Sequence, residues 1–90
     1  MDKAIIFLTS SDRLEFVLVD SRNHATSAQA LDALRQSGSE PLFVTFAPKL
    51  GYASHPFFSR KDLLKKVMLE RADEFWRTLV RADTAIAFAA

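Results

Sequence analysis

The chain begins with two apolar segments that flank a short polar one, which is the pattern of a β-hairpin. Residues 3–9 (KAIIFLT) are apolar on both faces, as in a strand that is buried on two sides. Residues 14–20 (LEFVLVD) alternate between the two faces, with Leu14 and Phe16 on the same one. The polar residues 10–13 (SSDR) predict the turn that joins the two strands.

A short helix is predicted after the hairpin. Residues 28–36 are mostly good helix formers, with leucines at helical spacing. Thr26 and Gln29 have the spacing of a capping box, which predicts that the helix begins there. Gly38 can adopt the left-handed conformation that ends a helix. Because so short a helix is only marginally stable alone, we expect it to pack on the hairpin.

A third strand and a loop come next. Residues 42–46 (LFVTF) predict the strand, with Leu42 and Val44 on one face and Phe43 on the other. Residues 47–58 contain two of the three prolines, so we interpret them as a loop.

The C-terminal part of the chain predicts one long helix. Residues 60–82 contain no Gly or Pro, which allows a helix of about 33 Å at about 1.5 Å per residue. Its core stripe at helical spacing comprises Leu64, Met68, Ala72, Phe75, Leu79 and Ala82. Residues 84–90 could fray, or residues 85–88 could add a short strand. The pattern therefore predicts an α+β fold: a small antiparallel sheet in the order ββαβ, with a long C-terminal helix packed on it.

This helix carries more apolar surface than one core face needs. Leu69, Trp76 and Val80 lie on one shoulder of the core stripe, and Val67 lies on the other. Either the first helix and the loop 47–58 fold over the first shoulder, or that shoulder contacts another chain. Tryptophan is often the anchor of an interface, so the second explanation predicts a protein partner. The partner would be a second copy in a homodimer or a larger host protein.

The composition limits the class of protein. The 90 residues are enough for a single domain, residues 1–90. The absence of Cys excludes a disulfide scaffold and zinc sites built on thiolates. No segment approaches the ~20 apolar residues of a membrane span, and the N-terminus lacks a secretory signal. We therefore expect a cytoplasmic protein without a membrane partner.

The net charge of +1 conceals an uneven distribution. Residues 1–46 carry four Lys and Arg against six Asp and Glu, whereas residues 47–90 carry eight against five. Five of the cations lie close to aromatic residues in the sequence: Lys49, Arg60, Lys61, Lys65 and Lys66. Cations combined with aromatic side chains can hold phosphates and stack bases, so this segment is a candidate nucleic-acid site. A solvated helix end explains the same residues.

Three aromatic residues of the predicted loop are further candidates for a partner-binding surface: Tyr52, Phe57 and Phe58. The competing interpretation is that one phenylalanine closes the core while Phe58 packs against the start of the following helix.

Motifs for catalysis and metal binding are absent from the sequence. It has no GxSxG elbow and no SxxK motif, and a polar turn is sufficient to explain Ser10, Ser11 and Asp12. His24 and His55 lack the spacing of metal ligands. We therefore expect no enzyme, no cofactor and no metal.

The sequence thus predicts a non-enzymatic protein-binding module that acts by occlusion or assembly. Its size and lack of motifs are typical of antitoxins, immunity proteins and inhibitors encoded by phages or plasmids, a comparison by analogy alone. The alternative is a nucleic-acid-associated regulator that uses the basic and aromatic residues of 49–66.

Overall fold

The elements follow the predicted ββαβ order and then add a short strand and two helices. The computed structural model describes residues 3–20, 24–46, 52–53 and 61–89. In chain order the elements are β1 (Lys3–Leu8), β2 (Leu14–Val19), α1 (His24–Gln36), β3 (Glu40–Phe46), β4 (Tyr52–Ala53), α2 (Lys61–Glu70) and α3 (Ala72–Ala89). The strands form one antiparallel sheet in the order β2-β1-β3-β4. The predicted α+β class, with a small antiparallel sheet and a long C-terminal helix, is confirmed.

The β1–β2 hairpin has the predicted polar turn. The Thr9 hydroxyl accepts hydrogen bonds from the backbone N–H groups of Ser11 (3.2 Å) and Arg13 (3.0 Å). Asp12 adopts the left-handed conformation with φ 62°. Aspartate tolerates this conformation better than most residues, which explains how the turn closes without glycine.

Strand β1 is buried on both faces of the sheet, as predicted. On one face, Ile5 and Phe7 pack with Leu31 and Leu34 of α1. On the opposite face, Ala4 and Ile6 belong to clusters formed with α2 and α3. The sheet therefore separates α1 from the two C-terminal helices, and the expected packing of α1 on the hairpin is confirmed.

Strand β3 contains a β-bulge that the alternation did not predict. The register between β1 and β3 shifts at Leu42, which leaves that residue without a directly opposed partner on β1. Leu42 and Phe43 both pack toward α2 and α3, whereas Val44 packs toward α1. The prediction that Leu42 and Val44 share a face is wrong, because an inserted residue reverses the alternation beyond it.

The sequence predicted the end of α1 correctly but not its start. Helix α1 begins at His24, so the predicted start at Thr26 is wrong. Thr26 is the third residue of the helix and not the residue that precedes it. The end is confirmed: Gly38 has φ 80°, and the N–H of Ser39 donates to the carbonyl of Leu34 (2.9 Å). This bond is the one that closes a Schellman motif.

The predicted single helix over 60–82 is in fact two helices that meet at Arg71, which corrects that prediction. Helical hydrogen bonds continue across the junction, from the N–H of Arg71 to Val67 (2.8 Å) and from the N–H of Phe75 to Arg71 (3.0 Å). The junction is therefore a bend, and it lies where a side-chain contact with the hairpin turn holds Arg71. Residue 60 lies outside the described residues.

Two further boundaries differ from the prediction. The suggested strand over 85–88 is wrong, because α3 continues to Ala89 and buries Ile86 against Ala4 and Ala82. The predicted loop 47–58 contains a two-residue strand, β4, which pairs with β3. The rest of that segment lies outside the described residues.

The core stripe of the C-terminal helices is confirmed in α3 and shifted in α2. Phe75, Leu79 and Ala82 are buried as predicted. In α2, however, Met68 is 39% exposed, and Val67, placed on a shoulder by the sequence, is 4% exposed. A single helical wheel does not hold across a bend, so the residues that face the sheet change at Arg71.

Candidate protein-binding surface

Several large apolar side chains lie exposed along α2 and α3. We call three of them the apolar stripe: Leu69, Trp76 and Val80. Their exposed fractions are 78%, 53% and 60%. Trp76 and Val80 are four residues apart on α3, a spacing that returns to the same side of a helix. Leu69 lies at the end of α2, seven residues before Trp76 and across the bend at Arg71. The stripe therefore extends from the end of α2 through the first half of α3.

The core side of α3 determines where the stripe lies. Phe75 and Leu79 are almost completely buried against the sheet. The next residue after each is therefore turned by about 100° toward solvent. The Trp76 ring keeps an edge-to-face contact with Phe75, at 6.2 Å between centroids. A hydrogen bond from the buried Thr45 hydroxyl to Asp83 (2.6 Å) fixes the rotation of α3 against β3.

Charged residues of both signs border the stripe. One open groove beside Trp76 is lined by Asp73 and Arg77. A second groove runs from Trp76 to Val80 past Arg77 and Arg81. The sequence analysis did not identify Asp73 or Arg77 as members of a candidate surface. The available signal was their position three residues before and one residue after Trp76.

Helix α1 does not cover the stripe, so that part of the internal-burial explanation is wrong. Helix α1 packs on the face of the sheet opposite to α2 and α3, because its leucines join the cluster of Ile5, Phe7 and Val44. The other part of that explanation invoked the loop 47–58, which lies outside the described residues except for β4.

The other predicted partner-binding residues are placed only in part. Tyr52 belongs to β4, at one edge of the sheet. Phe57 and Phe58 lie outside the described residues. Phe88, for which the sequence allowed a short strand, is an exposed residue of α3 near its end.

The candidate basic patch is also described in part. Lys61, Lys65 and Lys66 are exposed on α2. The same helix exposes Asp62 and Glu70, so its surface is of mixed charge. Lys49 and Arg60 lie outside the described residues.

Arg71 forms an ionic cluster at the bend. Its guanidinium lies 3.2 Å from the Asp12 carboxylate and 2.7 Å from the Glu74 carboxylate, and it also donates to the Asp12 carbonyl (2.9 Å). The hydrogen bond from Arg71 lowers the pKa of the Glu74 carboxyl. Arg77 lies three residues after Glu74, a spacing that also allows an ion pair on a helix. In the structure Arg77 donates instead to the backbone carbonyl of Asp73 (3.3 Å).

Residues weighed for chemistry are dispersed. Ser10, Ser11 and Asp12 form the hairpin turn, His24 begins α1, and His55 lies outside the described residues. Within the described ranges, no three His, Asp or Glu side chains gather as metal ligands would. Nor does any helix there have the length and apolarity needed to cross a membrane.

Comparison of the chain with protein-family models, with curated proteins and with solved structures gives no match.

Proposed function

We propose that the chain is a non-enzymatic, cytoplasmic protein-binding module that acts by occlusion or assembly. Its contact surface is the apolar stripe. Small inhibitors, antitoxins and immunity proteins act in this way, and the comparison with them remains one of size and character.

The observation that carries the proposal is the exposure of Leu69, Trp76 and Val80, of which Trp76 and Val80 line one groove of α3. Isolated apolar residues on a surface are common, whereas several large ones that include tryptophan are typical of an interaction site. Burial of these side chains against a partner stabilises the complex by about 25 cal/mol for each Å² of apolar surface removed from water. The mixed charges that border it provide the polar rim of an interface.

Capture experiments with matched variants test the proposal. The wild-type chain, Leu69→Asp and Ala33→Asp serve as immobilised bait for a host extract, and each is also examined by sedimentation velocity. Ala33 is an exposed residue of α1, so its variant adds the same charge on the other side of the sheet. We expect Leu69→Asp to lose a captured protein or self-association that Ala33→Asp retains. Identical behaviour of all three chains in both measurements would exclude the stripe as a binding surface.

The alternative proposal is a nucleic-acid-associated regulator, and it is supported by the exposure of Lys61, Lys65 and Lys66 on α2. Fluorescence anisotropy with mixed DNA and RNA at low salt tests it, since the electrostatic attraction to phosphates is strongest there. The alternative predicts binding that a Lys65→Glu, Lys66→Glu chain loses and that Trp76→Ala retains. Absence of binding by the wild-type chain contradicts it.

A further inference from the structure

We propose that the partner seated on the apolar stripe is a second copy of this chain, with the two α3 helices packed antiparallel about a two-fold axis near residue 75. This inference rests on the proposed function and specifies its partner. It goes beyond it in predicting which residues meet across the interface.

The spacing of the stripe is self-complementary. A two-fold axis perpendicular to a helix pairs positions that lie at equal distances on either side of it. The midpoint between Leu69 and Val80 falls within one residue of position 75. Because helical hydrogen bonds continue through Arg71, Leu69 at the end of α2 follows the same helical path as α3. Each Leu69 then lies beside the partner's Val80, and this contact occurs twice. Trp76 lies only about 1.5 Å along the helix from the axis, so the two tryptophans contact each other at the centre.

The charges that border the stripe share the same axis. The midpoint between Asp73 and Arg77 is also position 75. Antiparallel pairing therefore places each Asp73 beside the partner's Arg77. Both side chains line the groove beside Trp76, on the exposed side of α3. Parallel pairing would instead bring like charges together, so the charge pattern selects the antiparallel arrangement.

The size of this surface indicates a weak dimer. Each chain supplies only the end of α2 and the first half of α3, and interfaces below about 1,200 Å² belong to weak or transient complexes. The ion pairs lie at the rim, where they set orientation more than affinity. We therefore expect association that depends on protein concentration and weakens as salt is raised.

Charge reversal provides the decisive experiment. Sedimentation equilibrium is performed on Asp73→Arg, on Arg77→Asp, and on an equimolar mixture of the two. Each variant alone places two like-charge contacts across the axis, and we expect its dimer to weaken at least about tenfold. The mixture restores both contacts with opposite charges, so it should associate to near the wild-type level. Asp32→Arg, an exposed substitution on α1, is the matched control and should dimerise normally.

Rescue by mixing cannot arise from contacts within one chain. If the single variants fail to fold, the emission of Trp76 in the wild-type chain supplies a second measurement. It should shift to shorter wavelength as the concentration rises, and it should not shift in Leu69→Asp.

A wild-type chain that remains monomeric at every concentration overturns the inference, as does a dimer that charge reversal leaves unchanged. Neither result excludes the proposed function, which fails only if Leu69→Asp also captures the same proteins as the wild-type chain.

Discussion

Arg71 connects the bend between α2 and α3 to the hairpin turn, 59 residues earlier in the chain. Its guanidinium contacts the carboxylate and the backbone carbonyl of Asp12, and it pairs with Glu74 in the next turn. One side chain therefore holds the C-terminal helices against the outer end of the hairpin. Because this end of the molecule is exposed, the stabilisation by each contact is modest.

We expect Arg71→Ala to lower the free energy of unfolding by about 1 kcal/mol, since it removes the contacts to Asp12 and Glu74 together. Urea denaturation measures this loss. Lys66→Ala, a substitution of an exposed cation on α2, is the control and should change the midpoint little. Equal midpoints for the two variants would show that the contacts of Arg71 with Asp12 and Glu74 do not stabilise the fold.

The same cluster predicts a pH dependence at Glu74. The pKa of this carboxyl is lowered from its ordinary value of 4.5 because it accepts a hydrogen bond from Arg71. The folded protein therefore binds this proton less readily than the unfolded chain does. The resulting stabilisation is present above pH 4.5 and is lost as the pH falls through the lowered value.

Removal of the carboxylate should reduce this dependence. In Glu74→Gln, the midpoint of urea unfolding should fall less steeply between neutral and acidic pH than in the wild-type chain. Glu70→Gln, at another exposed glutamate, is the comparison. Parallel curves for the wild-type chain and Glu74→Gln would contradict the assignment.

At the scale of elements, features set by neighbouring residues were predictable and features set by distant contacts were not. A continuous apolar run predicted the first strand of the hairpin, alternation predicted the second, and a single glycine predicted the end of α1. The bulge at Leu42 and the bend at Arg71 depend on partners far away in the sequence. The C-terminal residues 85–88 illustrate the same limit, since the burial of Ile86 between Ala4 and Ala82 favours helix there.

The end of α1 offers a test at this scale. Gly38 has φ 80°, and a β-carbon at this position would lie 3.3 Å from the Ser10 β-carbon. We expect Gly38→Ala to lower stability by about 1 kcal/mol, since alanine is strained in the left-handed region. Gly38→Asn should lose less, because asparagine tolerates that region although it carries the same β-carbon. Thermal denaturation compares the two, and equal losses would attribute the effect to the contact with Ser10 instead of the backbone.

At the scale of the whole molecule, the arrangement of layers shows that α1 does not bury the extra apolar residues of the C-terminal helices, because the sheet lies between them. The sequence predicted the surplus and the row of Leu69, Trp76 and Val80. It could not predict that the sheet would separate α1 from this row, because the same leucines of α1 would suit either face. Nor could it place Asp73 and Arg77 beside the row as partners for a second chain.

Two adjacent residues of α3 test this division between core and surface. Phe75 is 1% exposed and Trp76 is 53% exposed. We therefore expect Phe75 to stabilise the core and Trp76 to contact a partner. We expect Phe75→Leu to cost about 1 kcal/mol and Phe75→Ala about 3–5 kcal/mol, since truncation leaves a cavity beside the sheet. Trp76→Ala should cost less than about 1 kcal/mol, mostly from the lost edge-to-face contact with Phe75. Urea unfolding in dilute solution, where a weak dimer has dissociated, isolates these effects from association.

A loss of stability in Trp76→Ala as large as that in Phe75→Ala would make the tryptophan part of the core and remove the basis for a binding stripe. A small loss of stability combined with a lost partner or dimer is the result that only a binding surface produces.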